Sequence, residues 1–111
     1  MSAILTATDA NFETEIIRNP RPTVVFFYAD WAGPARAITP YLIELAGEHT
    51  DALHFARLNV DQHPHTPASY NITALPTFLT LHAGAVVDRL TGPISQTRLQ
   101  AFIQHALDTW S

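Results

Sequence analysis

The sequence predicts an α/β fold in which a mixed central sheet is covered by helices on both faces. Three features support this prediction: a continuous apolar run from Val24 to Tyr28, a helical pattern directly after it, and a hairpin followed by a helix near the end of the chain. An apolar run without alternation is typical of a strand buried on both faces of a parallel sheet. Strand–helix–strand followed by hairpin–helix predicts both parallel and antiparallel pairs.

The segments before and after this run supply the first helix and the second long strand. A short strand is predicted at Ala3 to Thr6, and Asp9 is placed to cap the helix that follows. That helix carries three apolar residues on one face, Phe12, Ile16 and Ile17. The stretch "ALHFARLNV" alternates and predicts a strand.

The C-terminal half predicts a hairpin and a helix. The stretch "TFLTLHAGAVVDRLTG" turns at Ala83-Gly84, and Ser95 is the natural N-cap of the last helix. The apolar residues of that helix recur at helical spacing: Leu99, Phe102, Ile103, Ala106, Leu107 and Trp110.

Composition excludes several classes of function. The 111 residues suit one compact domain, residues 1–111, and no apolar run is long enough to cross a membrane. A formal charge of −4, with no lysine, argues against nucleic acid as the main partner. We read no signal peptide at the N-terminus. The absence of cysteine excludes disulfide scaffolds, zinc–thiolate sites and thiol catalysis for the chain as written.

The stretch "DWAGPARAI" has the architecture of a site. It joins the buried strand to a helix in which Pro34 occupies the first turn and Pro40 should cause a kink. Sites in α/β sheets lie at the carboxyl ends of strands, and a helix N-terminus stabilises an anion. The same residues also suit a plain turn with an aromatic lid, and the stretch alone leaves both interpretations open.

The stretch "TALPTF" is a second marker. Pro76 directly precedes an apolar strand, which suits either a cis proline at a turn or a trans proline on an edge strand.

Together these segments resemble the thioredoxin family from one end of the chain to the other. The resemblance rests on "VVFFYADWAGPARAITPYL", "FARLNVDQHP", "YNITALPTF" and "LTGPIS". The family motif is W-C-G-P-C, and here Trp31, Gly33 and Pro34 match it while Ala32 and Ala35 occupy both cysteine positions. Four further positions match the family's prolines and glycines: Pro40, Pro76, Gly84 and Gly92.

The resemblance implies a thioredoxin fold, with a five-stranded mixed sheet, about four flanking helices, a kinked second helix and a cis peptide bond at Leu75–Pro76. The family reduces protein disulfides through a nucleophilic and a resolving cysteine. Because Ala32 and Ala35 have no sulfur, the chain as written should be redox-inactive.

The family's buried acid and its neighbouring lysine correspond to Phe26 and Arg57. Phenylalanine removes the desolvation cost of a buried carboxylate together with its proton relay. Ordinary drift of a core residue and loss of catalysis both explain this change.

The resemblance also implies partners. Extended protein or peptide substrates would bind beside Pro76 by strand addition, and thioredoxin reductase would be the redox partner. The corresponding contact residues are Trp31, Gly33, Pro34, Val60, Ala74, Leu75, Pro76, Gly92 and Pro93. We expect a cytoplasmic monomer without cofactor, nucleic acid or membrane partner.

Two alternatives concern other chemistry and the origin of the alanines. Asp61, His63 and His65 could form a weak metal-ligand set, although loop histidines are more often solvated, and we expect no metal. Ala32 and Ala35 are either engineered replacements or a natural loss that left a peptide-binding or chaperone-like module. The intact surrounding motif favours engineering, whereas Phe26 favours natural loss.

Overall fold

A computed structural model of the chain describes residues 3–110. Its strands are β1 (Leu5–Thr6), β2 (Thr23–Tyr28), β3 (His54–Asn59), β4 (Thr77–His82) and β5 (Ala85–Thr91). Its helices are a π-helix (Glu13–Ile17), α1 (Gly33–His49), α2 (His65–Ser69) and α3 (Gln96–Trp110). The predicted mixed five-stranded sheet and its helices are confirmed.

The five strands form one sheet in the order β1-β3-β2-β4-β5. β1 and β2 run parallel to β3, whereas β4 runs antiparallel to both β2 and β5. The apolar run therefore forms a central strand with neighbours on both sides. This position explains why its sequence does not alternate: both faces of β2 are covered.

Successive residues of β2 point into two different cores. Val24 and Phe26 belong to the cluster that includes Ile38 of α1 and Ile103 of α3. Val25 and Phe27 belong to the other cluster, and Ile16 of the π-helix packs there with them. The period-2 geometry of a strand thus places α1 and α3 on one face and the N-terminal segment on the other.

The hairpin and the last helix are as predicted. Ala83 and Gly84 have φ angles of 52° and 82°, the left-handed backbone that a tight two-residue hairpin requires. At the start of α3, the backbone N–H of Arg98 donates to Ser95 Oγ over 3.1 Å, which confirms Ser95 as the N-cap. No helix within residues 3–110 is long and apolar enough to span a membrane.

The N-terminal helix differs from the prediction. It is a short π-helix preceded by Phe12, and the backbone at its start is organised by Thr8 and Asn11 instead of Asp9. Asn11 N donates to Thr8 Oγ1 over 3.0 Å, and Thr8 N donates to Asn11 Oδ1 over 2.7 Å. This reciprocal pair resembles a capping box and leaves Asp9 available for another partner.

Asp9 caps α2, a helix that the sequence pattern did not predict. Its carboxylate accepts hydrogen bonds from Thr66 N (2.8 Å), Thr66 Oγ1 (2.7 Å) and His65 N (3.2 Å). The expectation that Asp9 caps the N-terminal helix was therefore wrong. A contact spanning 57 residues of sequence is invisible to any local rule.

Asp9 should make stability depend on pH. Burial alone would raise the pKa of Asp9, but the hydrogen bonds from Thr66 and His65 outweigh it and hold the pKa below its ordinary value of 3.8. Stabilisation from this carboxylate is then present above the ordinary value and lost as the pH falls through the lower folded-state pKa. We expect Asp9→Ala to reduce the free energy of unfolding by about 1–2 kcal/mol at neutral pH, and by less in acid.

Urea unfolding of Asp9→Ala at neutral and acid pH measures this difference. The control is Asp51→Ala, which removes an exposed aspartate from the turn after α1. Equal losses for the two variants, or a loss that does not shrink in acid, would contradict the role given to Asp9.

Candidate functional site

The loop from β2 to α1 places Ala32 at the N-cap of α1. Ala32 has an extended backbone (φ −85°, ψ 103°), and its carbonyl accepts the first helical hydrogen bond from Arg36 N over 3.1 Å. Ala32 N donates to Ala29 O over 3.1 Å, which closes the turn out of the strand. Pro34 lies in the first turn, where its missing N–H costs nothing. Alanine has no side-chain oxygen, so the N-cap makes no side-chain hydrogen bond.

Both alanines are buried. Ala32 is 5% exposed and Ala35 is 1% exposed, and both methyl groups belong to the core cluster against which Tyr28 and Leu75 pack. No atom at either position can attack a disulfide. The nearby hydroxyl of Thr39 donates to Ala35 O over 2.8 Å, so it serves the helix backbone.

Trp31 is held over the site by Asp61. The indole is 70% exposed, and its Nε1 donates to Asp61 Oδ2 over 2.9 Å. Asp61 is itself positioned by Asn59, whose buried side-chain oxygen accepts from Asp61 N over 2.9 Å. Sequence reasoning missed the roles of both residues. Their only sequence signal is a polar pair at the carboxyl end of β3, next to the end of β2.

The Leu75–Pro76 peptide bond is cis, as predicted. Pro76 O accepts from Gly92 N over 3.0 Å, and Ala74 O accepts from Thr77 Oγ1 over 2.7 Å. Among residues 3–110, the backbone N–H and carbonyl of Leu75 have no hydrogen-bond partner. Gly92 adopts a φ of 95°, a conformation that glycine accepts without strain.

The structure brings some of the predicted site residues to the end of β2 and the core beside it. Leu75 packs against the cluster that holds Ala32 and Ala35, and Val60 N donates to Tyr28 O over 2.9 Å at the end of β2. Gly33, Pro34 and Pro93 are exposed, whereas Ala74 and Gly92 are half-buried.

Phe26 and Arg57 lie directly opposite each other in the β2–β3 register. Phe26 stacks with Phe78 and Tyr28, at ring-centroid distances of 4.9 Å and 5.3 Å. Arg57 is half-buried, and its Nε is buried without a hydrogen-bond partner among residues 3–110. The position that the resemblance assigns to an acid is therefore the centre of an aromatic stack, and the Phe26 ring there cannot act as a base.

Two of the three candidate metal ligands, Asp61 and His63, use their side chains in other hydrogen bonds. Asp61 accepts from Trp31, and His63 Nδ1 accepts from Asp9 N over 3.3 Å. The backbone N–H of His65 donates to the Asp9 carboxylate. Within residues 3–110, no three His, Asp or Glu side chains come together in a way that could hold a metal ion.

This mixed sheet, with a strand-to-helix turn at Ala32 and a cis proline directly before β4, defines a protein of the thioredoxin class. A family model described as thioredoxin matches residues 3–105. The chain is 39% identical to a thioredoxin of Acidithiobacillus ferridurans, over 95% of this chain and 97% of that protein. It is 37% identical to a thioredoxin of Haemophilus influenzae, over 95% and 99% of the two chains. The chain belongs to the thioredoxin family.

Phe26 should be required for stability. Phe26→Asp removes two ring contacts and places a carboxylate at a position that is 2% exposed. We expect the free energy of unfolding to fall by about 3 kcal/mol or more, as for other truncations of buried aromatic residues.

Urea unfolding of Phe26→Asp against Phe26→Leu tests this requirement. Leucine keeps this position apolar, so Phe26→Leu should reduce the free energy of unfolding by less than Phe26→Asp does. If the two variants are equally stable, then Arg57 compensates the new carboxylate and the aromatic stack contributes little.

Proposed function

We propose that the chain is a thioredoxin scaffold for protein-disulfide reduction that retains its docking groove and lacks its chemistry. The observation that supports the proposal is a contrast among the motif residues: the exposed Trp31 and the cis Leu75–Pro76 bond are present, whereas Ala32 and Ala35 have no sulfur. The chain as written is redox-inactive, since it contains no cysteine.

Thiol–disulfide exchange needs a sulfur at each of two steps. A thiolate attacks the substrate disulfide and forms a mixed disulfide, and a second thiolate then releases the reduced substrate. A methyl group can do neither. The helix N-terminus at Ala32 would stabilise a thiolate, but the chain supplies none.

The docking groove supports reversible binding of an extended peptide. The backbone N–H and carbonyl of Leu75 are free to pair with a peptide strand, which gives affinity through main-chain hydrogen bonds. The exposed Trp31 indole and the half-buried Val60 side chain would supply apolar contacts to the same peptide. Without a mixed disulfide to trap the peptide, binding should be weak.

The proposal includes the wider expectations that the family implies. These are a single domain over residues 1–111, a monomeric and cytoplasmic protein, and protein substrates with thioredoxin reductase as redox partner. The support for them is the family membership and the match to thioredoxins over nearly their whole length.

A second candidate is a module that lost its thiols naturally and now only binds peptides. One observation favours it: the stacking of Phe26 with Tyr28 and Phe78 is an integrated core arrangement, which a replacement of two cysteines would not produce. The two candidates predict different results when cysteines are introduced at positions 32 and 35. Disulfide-reduction activity should return for the first candidate and stay absent for the second.

The chain as written should show no turnover in a disulfide-reduction assay, and Ala32→Cys with Ala35→Cys should restore it. The helix N-terminus lowers the pKa of a thiol at position 32, and Gly33-Pro34 sets the spacing to the second one. Because Phe26 supplies no general base, we expect a slower enzyme, by about a hundredfold where proton transfer limits the rate.

The measurement is reduction of a protein disulfide by dithiothreitol. The control is the matched pair Ala32→Ser with Ala35→Ser, which should stay inactive. Turnover by the purified starting chain would contradict the requirement for thiols. A double cysteine variant that folds and forms its disulfide but reduces nothing would favour the natural binding module.

Peptide docking has its own test. A cysteine-free extended peptide should change Trp31 fluorescence on titration, and Val60→Asp should weaken this binding by placing a charge in the apolar groove. Val86→Asp is the control, because Val86 is an exposed valine on the edge strand β5. An unchanged signal at millimolar peptide, or equal weakening by the two variants, would contradict the docking groove.

A further inference from the structure

A cavity of ≈ 330 Å³ lies behind the thiol positions, between β2, β3 and α1. Its apolar wall includes Phe26, Ala35 and Pro40, and the Tyr28 ring continues that wall. None of these residues belongs to the proposed peptide groove. A space of this size is at the small end of the range for ligand sites, which suits a molecule of one or two rings.

The polar part of the cavity wall carries an excess of positive charge. Arg36 and Arg57 both line it, and Asp30 is the acidic residue beside them. Within residues 3–110, the ion pair present is Arg18–Glu13, so neither cavity arginine is paired with Asp30. The described part of the chain also gives no side-chain hydrogen bond from either arginine.

Arg57 lacks a partner because of the strand register. The residue directly opposite on β2 is Phe26, whose ring stacks in the core and cannot accept a hydrogen bond. The Arg57 Nε is consequently buried without a partner. Buried polar groups in proteins are nearly always satisfied, and an unsatisfied charged donor is costly. The Nε atom itself is closed to solvent, so a bound anion would pair with the rest of the Arg57 guanidinium, which lines the cavity and has no ion-pair partner among residues 3–110.

We propose that this cavity binds a small aromatic carboxylate. Its carboxylate would accept hydrogen bonds from the Arg57 guanidinium, and a planar guanidinium matches this group geometrically. Its ring would lie against the apolar wall formed by Phe26, Ala35 and Pro40. Arg36, at the exposed edge of the cavity, adds attraction by its charge, and the small side chain of Ala35 leaves room for the ring.

Three probes separate the contributions of charge and ring. Benzoate carries both, benzamide carries the ring without the charge, and acetate carries the charge without the ring. Titration of the isotope-labelled chain, followed by amide NMR shifts, should show saturable shifts with benzoate at Phe26, Ala35 and Arg57. Benzamide and acetate should each bind at least about tenfold more weakly, since each lacks one of the two interactions.

Variants test the residues. Arg57→Gln should weaken benzoate binding by about tenfold or more, because it removes the charged donor. The matched control is Arg98→Gln, an exposed arginine at the start of α3, which should leave binding unchanged. Ala35→Leu should block binding by filling the cavity, and its thermal midpoint shows whether the variant folds.

The outcomes are decisive in both directions. Benzoate binding that depends on Arg57 and produces shifts around the cavity supports the site. Shifts scattered over the surface, equal binding of benzamide, or unchanged binding by Arg57→Gln overturns it. The peptide experiment with Val60→Asp reads a different surface, so the docking groove and the cavity can fail independently.

Discussion

The burial of β2 on both faces is the constraint on which the rest of the structure depends. β2 pairs with β3 at one edge and with β4 at the other, while α1 and α3 cover one of its faces and the N-terminal segment covers the other, so its side chains are buried and almost all apolar. The alternation of Val24 and Phe26 with Val25 and Phe27 then divides the core into two clusters. The strand ends at Tyr28, and the chain can leave the sheet only at that carboxyl edge. The site therefore lies where a buried strand meets a helix N-terminus.

Much of this architecture could be predicted from the sequence, because its signals are local. The apolar run of β2, the Ala83-Gly84 turn and the Ser95 cap each lie within a few residues of the feature that they specify. The one cap that was predicted wrongly involves a distant partner. Asp9 caps a helix 57 residues away, and the pattern around it gave no sign of that partner.

The features of the candidate site also fall into two groups, those with a local sequence signal and those that depend on tertiary pairing. Trp31, Pro34 and Pro76 could be recognised because they belong to short motifs. The hydrogen bond from Trp31 to Asp61 and the support of Asp61 by Asn59 depend on two neighbouring strands ending at one edge. The unpaired state of Arg57 depends on register, which fixes Phe26 as its opposite residue. Tertiary pairing of this kind leaves no periodic trace in the sequence.

The shape of the candidate site does not depend on sulfur, because different atoms determine its shape and its chemistry. The shape depends on main-chain hydrogen bonds, such as the one from Gly92 N to Pro76 O. It also depends on the packing of Leu75 against the core cluster that contains Ala32 and Ala35. Sulfur contributes to neither. The charge distribution does depend on side chains: the residue opposite Arg57 on β2 is Phe26, so the positive charge of Arg57 has no neighbour of opposite sign on that strand. In this thioredoxin scaffold without thiols, the Arg57 Nε is therefore buried without a partner among residues 3–110, and its guanidinium lies beside an open cavity.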